Sequence, residues 1–207
     1  MGGDFYDLFA TADDEWAIAI GDVQGKGVEA AALTGLARHT IRAAAMYEGR
    51  PSRVLSTLNQ AIMRHTEDEA SPRFCTSVLG FLQTDRSNVH LILANGGHEQ
   101  PRILRADGTI EKASRPGMLL GAFADADIFD DHVRLRPGDS IVLFTDGVVD
   151  ARRHKEEFGE ARLEKVLAAS RGCDAPAIVK RVEDAVVSFR SASSSDDMAL
   201  LVVHVRK

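Results

Sequence analysis

The spacing of apolar and polar positions divides the chain into short extended segments and four longer helical ones. Phe5 to Ala10 is aromatic and apolar, and Glu15 to Gly21 carries the run Trp16-Ala17-Ile18-Ala19-Ile20. Thr11-Ala12-Asp13-Asp14 between them reads as a turn, so the opening predicts a hairpin. Val28 to Tyr47 is alanine-rich, with Leu33, Leu36, Ala37, Thr40, Ile41 and Ala44 at helical spacing. Glu48-Gly49-Arg50-Pro51 breaks that helix, and Pro51 suits the first turn of the next. The second helix places Val54, Leu55, Leu58, Ala61 and Ile62 on one face and ends before the polar stretch Thr66 to Pro72. Both helices are expected to cover a sheet.

Phe74 to Gln83 and Val89 to Ala94 flank the turn Thr84 to Asn88 and predict a second hairpin. Asn95 to Pro101 is a glycine-containing loop. Arg102 to Arg105 and Thr109 to Lys112 flank Asp107-Gly108, a strong hairpin turn, and Pro116 to Gly121 is another glycine-bounded loop. Ile128 to Leu135 alternates, and Ser140 to Phe144 reads as a buried strand that stops at Thr145-Asp146-Gly147. Glu160 to Ser170 and Ala175 to Phe189 are helical, Ser191 to Ser195 is a polar link, and Met198 to Val205 is a last strand opened by Asp196-Asp197. Strands and helices come in blocks, without repeats or an internal boundary, which predicts one α+β domain with antiparallel sheets.

Composition narrows the function. The 207 residues are 44% hydrophobic and 27% charged, enough for one domain with a sizeable core. No apolar run approaches the ~18 residues of a membrane-spanning helix, and no secretion signal opens the chain. Cys75 and Cys173 match no metal-ligand spacing and read as reduced thiols of a cytoplasmic protein. A net charge of −6 argues against a nucleic-acid partner. Arg152-Arg153-His154-Lys155 is the one short basic cluster, expected at a solvated helix or loop end.

The acids carry the candidate chemistry. Asp22 lies in Gly21-Asp22-Val23-Gln24-Gly25-Lys26-Gly27, where an apolar strand gives way to a helix. Taken alone this is either a turn with a solvated acid or a rigidly held ligand. In an antiparallel hairpin Asp4, at the start of the first arm, becomes the neighbour of Asp22 at the end of the second. Asp146 ends another predicted strand and Asp196 begins the last. Gathered carboxylates repel one another and need cations to stay ionised. Oxygen-only ligation points to Mg²⁺ or Mn²⁺, and a pair of such ions suits phosphate-ester chemistry. His98, in Gly96-Gly97-His98, is either a loop histidine bonded to backbone or a contact near the site; the other histidines are isolated. Lys26 is either a solvated loop lysine or a contact to phosphate or partner. The series Gly25-Lys26-Gly27 lacks P-loop spacing, and no nucleophile-elbow serine or Cys–His pair is present.

The ordered motifs Gly2-Gly3-Asp4-Phe5-Tyr6-Asp7, Gly21 to Gly27 with Glu29-Ala30-Ala31, Phe74-Cys75-Thr76, Ala94-Asn95-Gly96-Gly97-His98 with Pro101, Leu120-Gly121, Pro137-Gly138-Asp139, Phe144-Thr145-Asp146-Gly147, Phe158-Gly159 and Asp196-Asp197 span the chain. Together they resemble the metal-dependent protein phosphatase 2C superfamily, closest to its bacterial SpoIIE/RsbU-like branch. The resemblance implies an α-β-β-α sandwich of two antiparallel sheets flanked by helices, lacking the branch's lead-in strand. It implies two Mn²⁺ or Mg²⁺ ions: Asp22 bridging both, the Val23 carbonyl and Asp4 on one, Asp146 and Asp196 on the other. Asp197, Gly21, Gly147 and His98 would support the site. The implied reaction is hydrolysis of phosphoserine or phosphothreonine by metal-activated water. In this branch the substrate is typically a STAS-domain anti-anti-sigma factor. The chain then reads as the C-terminal catalytic part, or a fragment, of a longer regulatory protein with an upstream sensor or activator domain, and a homodimer is open to it. The superfamily's phosphate-binding arginine, upstream of the first acid, has no assigned equivalent. A phosphatase-fold module that only binds a signalling partner is the main rival, and a hydrolase of small phosphate esters is a weaker one.

Overall fold

The structure, a computed structural model, describes residues 3–12, 15–67, 73–85, 88–191 and 197–206. Strands β1 (Phe5–Ala12), β2 (Glu15–Val23), β3 (Cys75–Asp85), β4 (Asn88–Gly96) and β7 (Asp130–Leu135) form one sheet in the order β1-β2-β3-β4-β7. A second sheet runs β11-β8-β5-β6, from β5 (Arg102–Leu104), β6 (Ile110–Lys112), β8 (Ser140–Phe144) and β11 (Leu200–His204). All pairings in both sheets are antiparallel. Helices α1 (Val28–Ala45) and α2 (Pro51–Thr66) pack on the first sheet, and α4 (Gly159–Ala169) and α5 (Ala175–Phe189) on the second.

The order of layers follows from side-chain alternation along strands buried on both faces. In β2, Ile18 and Ile20 enter the apolar layer between the sheets, while Ala17, Ala19 and Val23 face the α1/α2 layer. In β8, Ile141 and Leu143 enter the inter-sheet layer, and Val142 and Phe144 face α4 and α5. The result is the α-β-β-α sandwich expected from the sequence. Among the described residues no helix is long and apolar enough to cross a membrane.

Several boundaries differ from the expectation. β2 continues through Asp22 to Val23 because both residues keep ladder partners, Thr76 and Cys75. β4 likewise takes in Asn95 and Gly96, opposite Val78 and Ser77. Asp146 lies beyond the end of β8, as the first residue of the one-turn helix α3 (Asp146–Val149). The last strand starts at Leu200, where pairing with Phe144 begins, and not at Asp196 or Met198. Arg152-Arg153-His154-Lys155 is not a helix or loop end. It belongs to a hairpin of β9 (Arg152–Arg153) and β10 (Glu156–Glu157), turned at His154 with φ 59° and lined by Arg–Glu ion pairs. The expected turn residues Asp13 and Asp14, the stretch 68–72, the turn residues Arg86 and Ser87 and the link 192–196 lie outside the described residues.

Candidate metal centre

The β1–β2 register pairs Phe5 with Gly21, which sets Asp4 beside Asp22 at one end of the first sheet. The Val23 N–H donates to the Gly3 carbonyl at 3.2 Å and continues the ladder past the hairpin's last pair. Gly3 is required there: a Cβ would stand 2.0 Å from the Val23 oxygen and 2.5 Å from Asp22 Oδ1. Gly21 is equally tight, since a Cβ would fall 2.4 Å from the Thr76 oxygen and 2.5 Å from the Phe5 ring.

The third acid comes from the other sheet. β8 ends at Phe144, and buried Thr145 leads into Asp146. Thr145 Oγ1 accepts from the Ala199 N–H at 2.9 Å and donates to Asp4 Oδ2 at 2.8 Å. The two sheets therefore meet at this end, and Asp4, Asp22 and Asp146 each place a carboxylate oxygen within 4.8 Å of the others. They line an open pocket of about 160 Å³ with Gly3, Val23, Gly25, Lys26 and Asp197. The Val23 oxygen is turned toward Gly3 and so toward this pocket. Gly147 lets the last segment close in, as a Cβ there would lie 2.0 Å from the Asp197 oxygen.

The electrostatics are those of crowded acids. Burial, then the charges of Asp4 and Asp146, push the Asp22 carboxyl up to about 7. Asp4 is also raised, chiefly by burial and further by Asp146 and Asp197, against the lowering effect of the Thr145 hydrogen bond. The interaction between the Asp4 and Asp22 side chains raises Asp22 further and lowers Asp4, so Asp22 is the carboxyl of the pair that keeps its proton longer without metal. Removing that proton calls for positive charge. The donors at hand are hard carboxylate oxygens and a carbonyl, with no sulfur or imidazole among the pocket-lining residues, which fits Mg²⁺ or Mn²⁺.

Of the sequence-predicted site residues, Asp4, Asp22, Val23, Lys26, Asp146 and Asp197 line this pocket. Gly21 and Gly147 provide close approaches behind it. Asp196 lies outside the described residues. His98 is not a pocket residue: it is buried, with Nδ1 2.7 Å from Thr76 Oγ1. Cys75 is a buried thiol whose pKa is pushed up by burial and by the Asp22 charge, an inert group.

Sequence reasoning gave no role to Thr145, Gly3, Thr76 or Arg73. The hydroxyl next to the acid in Thr145-Asp146 was the one local signal for Thr145. Arg73 lies against the site loop, 3.2 Å from where a Gly25 Cβ would be, and pairs with Glu29 on the first turn of α1. Nothing in the spacing of residues 25, 29 and 73 announces that contact.

The family model described as Stage II sporulation protein E (SpoIIE) matches residues 12–206. Protein IcfG of Synechocystis sp. is 29% identical over 229 residues, covering 99% of this chain and 36% of that protein. Phosphoserine phosphatase RsbU of Bacillus subtilis is 29% identical over 206 residues, covering 98% of this chain and 59% of that protein. The chain thus spans from about a third to three fifths of the length of these curated relatives. Among solved structures, the SiaA-PP2C domain of Pseudomonas aeruginosa superposes with a TM-score of 0.85 at 23% identity, covering 98% of this chain and 80% of that one.

Proposed function

The chain belongs to the SpoIIE family, and from that premise we propose that it is a metal-dependent phosphoserine/phosphothreonine protein phosphatase. The observation that carries this reading is the convergence of Asp4, Asp22 and Asp146, at the ends of strands of two different sheets, to within 4.8 Å. Such a cluster costs the metal-free fold repulsion and desolvation, and it suits a phosphoryl-transfer site that works by positioning and charge. The pocket is small and open, as expected where the phosphate sits on the surface of a protein substrate rather than inside an enclosed cavity.

Two divalent ions would be held with Asp22 shared, Asp4 and the Val23 carbonyl on one side, and Asp146 with Asp196 on the other, Asp197 supporting. When bound they would supply positive charge for the phosphoryl oxygens and a lowered pKa for the attacking water. The chain's own groups do the positioning. The β2–β3 ladder fixes the Asp22 backbone through Thr76, and the Thr145 hydroxyl orients Asp4 and favours its ionised form. Lys26, on the pocket rim, would meet the phosphate or the partner surface.

The natural setting we infer is cytoplasmic partner switching, with a phosphorylated STAS-type anti-anti-sigma factor as substrate and this domain as the catalytic part of a longer, regulated protein. A phosphatase-fold module without activity is disfavoured because none of the pocket acids is replaced. Purified chain given Mn²⁺ or Mg²⁺ should release phosphate from a phosphoserine protein. Asp22→Asn should lose more than about 100-fold of that activity while folding normally. No release by the wild-type chain with either ion sinks the enzyme reading in favour of the binding module.

A further inference from the structure

We propose that His98 is a positioning residue for the acid cluster, setting the distance between its Asp22 half on the first sheet and its Asp146 half on the second. The inference rests on the phosphatase reading only in taking the cluster to hold a metal pair. His98 lies in the connection between β4 and β5, where the chain crosses from one sheet to the other. Its backbone is pinned by a side-chain fork: the His98 N–H donates to Asn95 Oδ1 at 2.8 Å, and Asn95 Nδ2 donates to the His98 carbonyl at 3.0 Å. The Asn95 backbone beneath the fork is closely packed, because a Cβ on Gly117 would lie 1.7 Å from the Asn95 carbonyl oxygen.

The ring then spans the two halves of the site. Nδ1 is bonded to Thr76 Oγ1, and Thr76 is the ladder partner of Asp22. On the far side buried Nε2 has no hydrogen-bond partner, and the ring interacts with the Phe144 backbone. Phe144 is two residues before Asp146. A ring needed for packing alone would do better as an apolar side chain, because a buried polar atom without a partner costs stability. An imidazole at this place makes a rigid spacer of fixed length from Thr76 to Phe144, and through them from Asp22 to Asp146.

The test uses the full chain with Mn²⁺ as the probe, read by binding titration and by the electron paramagnetic resonance signature of two coupled Mn²⁺ ions. Wild-type chain should bind a coupled pair. His98→Ala should weaken Mn²⁺ binding by about 10–100-fold, as expected for groups that orient ligands, and lose the coupled signal. Thr76→Val should move both readouts the same way, and His98→Gln, which can still reach Thr76, should recover part of them. If His98→Ala does not fold, Thr76→Val decides. Wild-type affinity and an unchanged coupled spectrum in the folded variants overturn the proposal. A wild-type chain that binds the coupled pair but hydrolyses no phosphoprotein overturns the phosphatase reading alone, whereas one that binds no pair overturns both.

Discussion

Thr145 donates a 2.8 Å hydrogen bond to Asp4 across 141 positions of sequence and ties the two sheets together where the acids meet. The same hydroxyl accepts from the Ala199 N–H, so its hydrogen is directed at the carboxylate. Thr145→Val keeps the shape but leaves that buried N–H unpaired and Asp4 without its donor. The expected cost is about 1–3 kcal/mol in chemical denaturation, together with weaker metal binding. A variant as stable and as metal-avid as wild type would show that the bond has no organising role.

Metal affinity should depend steeply on pH. The Asp22 carboxyl is raised to about 7 from an ordinary 3.8, so across that window the metal-free fold binds more protons than the unfolded chain. Its contribution to metal-free stability is therefore present at low pH and lost as pH rises through 7. Metal requires the ionised form, so Mn²⁺ affinity should climb by about tenfold per pH unit toward 7 and level off above it. Binding titrations across that range check this, and a flat profile would mean that Asp22 is already ionised without metal.

Two glycines should resist even alanine. At Gly3 a methyl group would overlap the Val23 oxygen and Asp22 Oδ1, and at Gly147 it would overlap the Asp197 oxygen. The tightest clash at each is against a backbone oxygen, of Val23 or Asp197, so relief must come by separating the backbone segments at the pocket. Gly3→Ala and Gly147→Ala are expected to lose phosphatase activity and Mn²⁺ binding by about tenfold or more, with melting temperatures falling far less than a core truncation would cause. Thermal melts run beside Mn²⁺ titrations separate the two effects.

Away from the pocket, Asp7 ties β1 to α1. It is buried and takes a two-pronged contact from Arg42, at 2.6 and 2.7 Å, with Arg38 at 3.8 Å. The Arg42 hydrogen bond is the largest cause holding its carboxyl below the ordinary 3.8, ahead of the opposing effect of burial. That stability is present above 3.8 and lost as pH falls below it. Asp7→Asn should cost about 1–2 kcal/mol at neutral pH, discounted because Arg42 is half-exposed, and the difference from wild type should shrink below pH 3.8. Urea denaturation at neutral and acid pH gives both numbers.

The legible part of the fold was the part that neighbours in sequence determine. The apolar run Trp16 to Ile20 marked β2 as a buried strand, and helical spacing placed Leu33, Ala37 and Ile41 of α1 inward. Antiparallel pairing alone put Asp4 next to Asp22, because the two residues lie at the open ends of one hairpin. The ordered glycine and acid motifs identified the family and the oxygen-rich chemistry. The ends of strands were less legible. Val23, Asn95 and Leu200 are in or out of a strand according to whether a partner strand reaches them, and that partner lies far along the chain.

By itself, then, the sequence determined the antiparallel α+β class, the apolar faces, the identity of the acids and the hairpin that joins two of them. That Asp146 joins that pair was implied in the sequence only by the ordered motifs and the resemblance they carry; tertiary structure set the contact itself, and it alone decided that Thr145 would meet Asp4 and that His98 would stand buried between Thr76 and Phe144. Side-chain periodicity records which face of a strand is buried. It does not record which strand of the opposite sheet will cover that face, or at what offset. That offset is set by how the inter-sheet layer of Ile18, Ile20, Val78, Leu91, Leu93, Ile141 and Leu143 packs, and the acids meet where the packing ends.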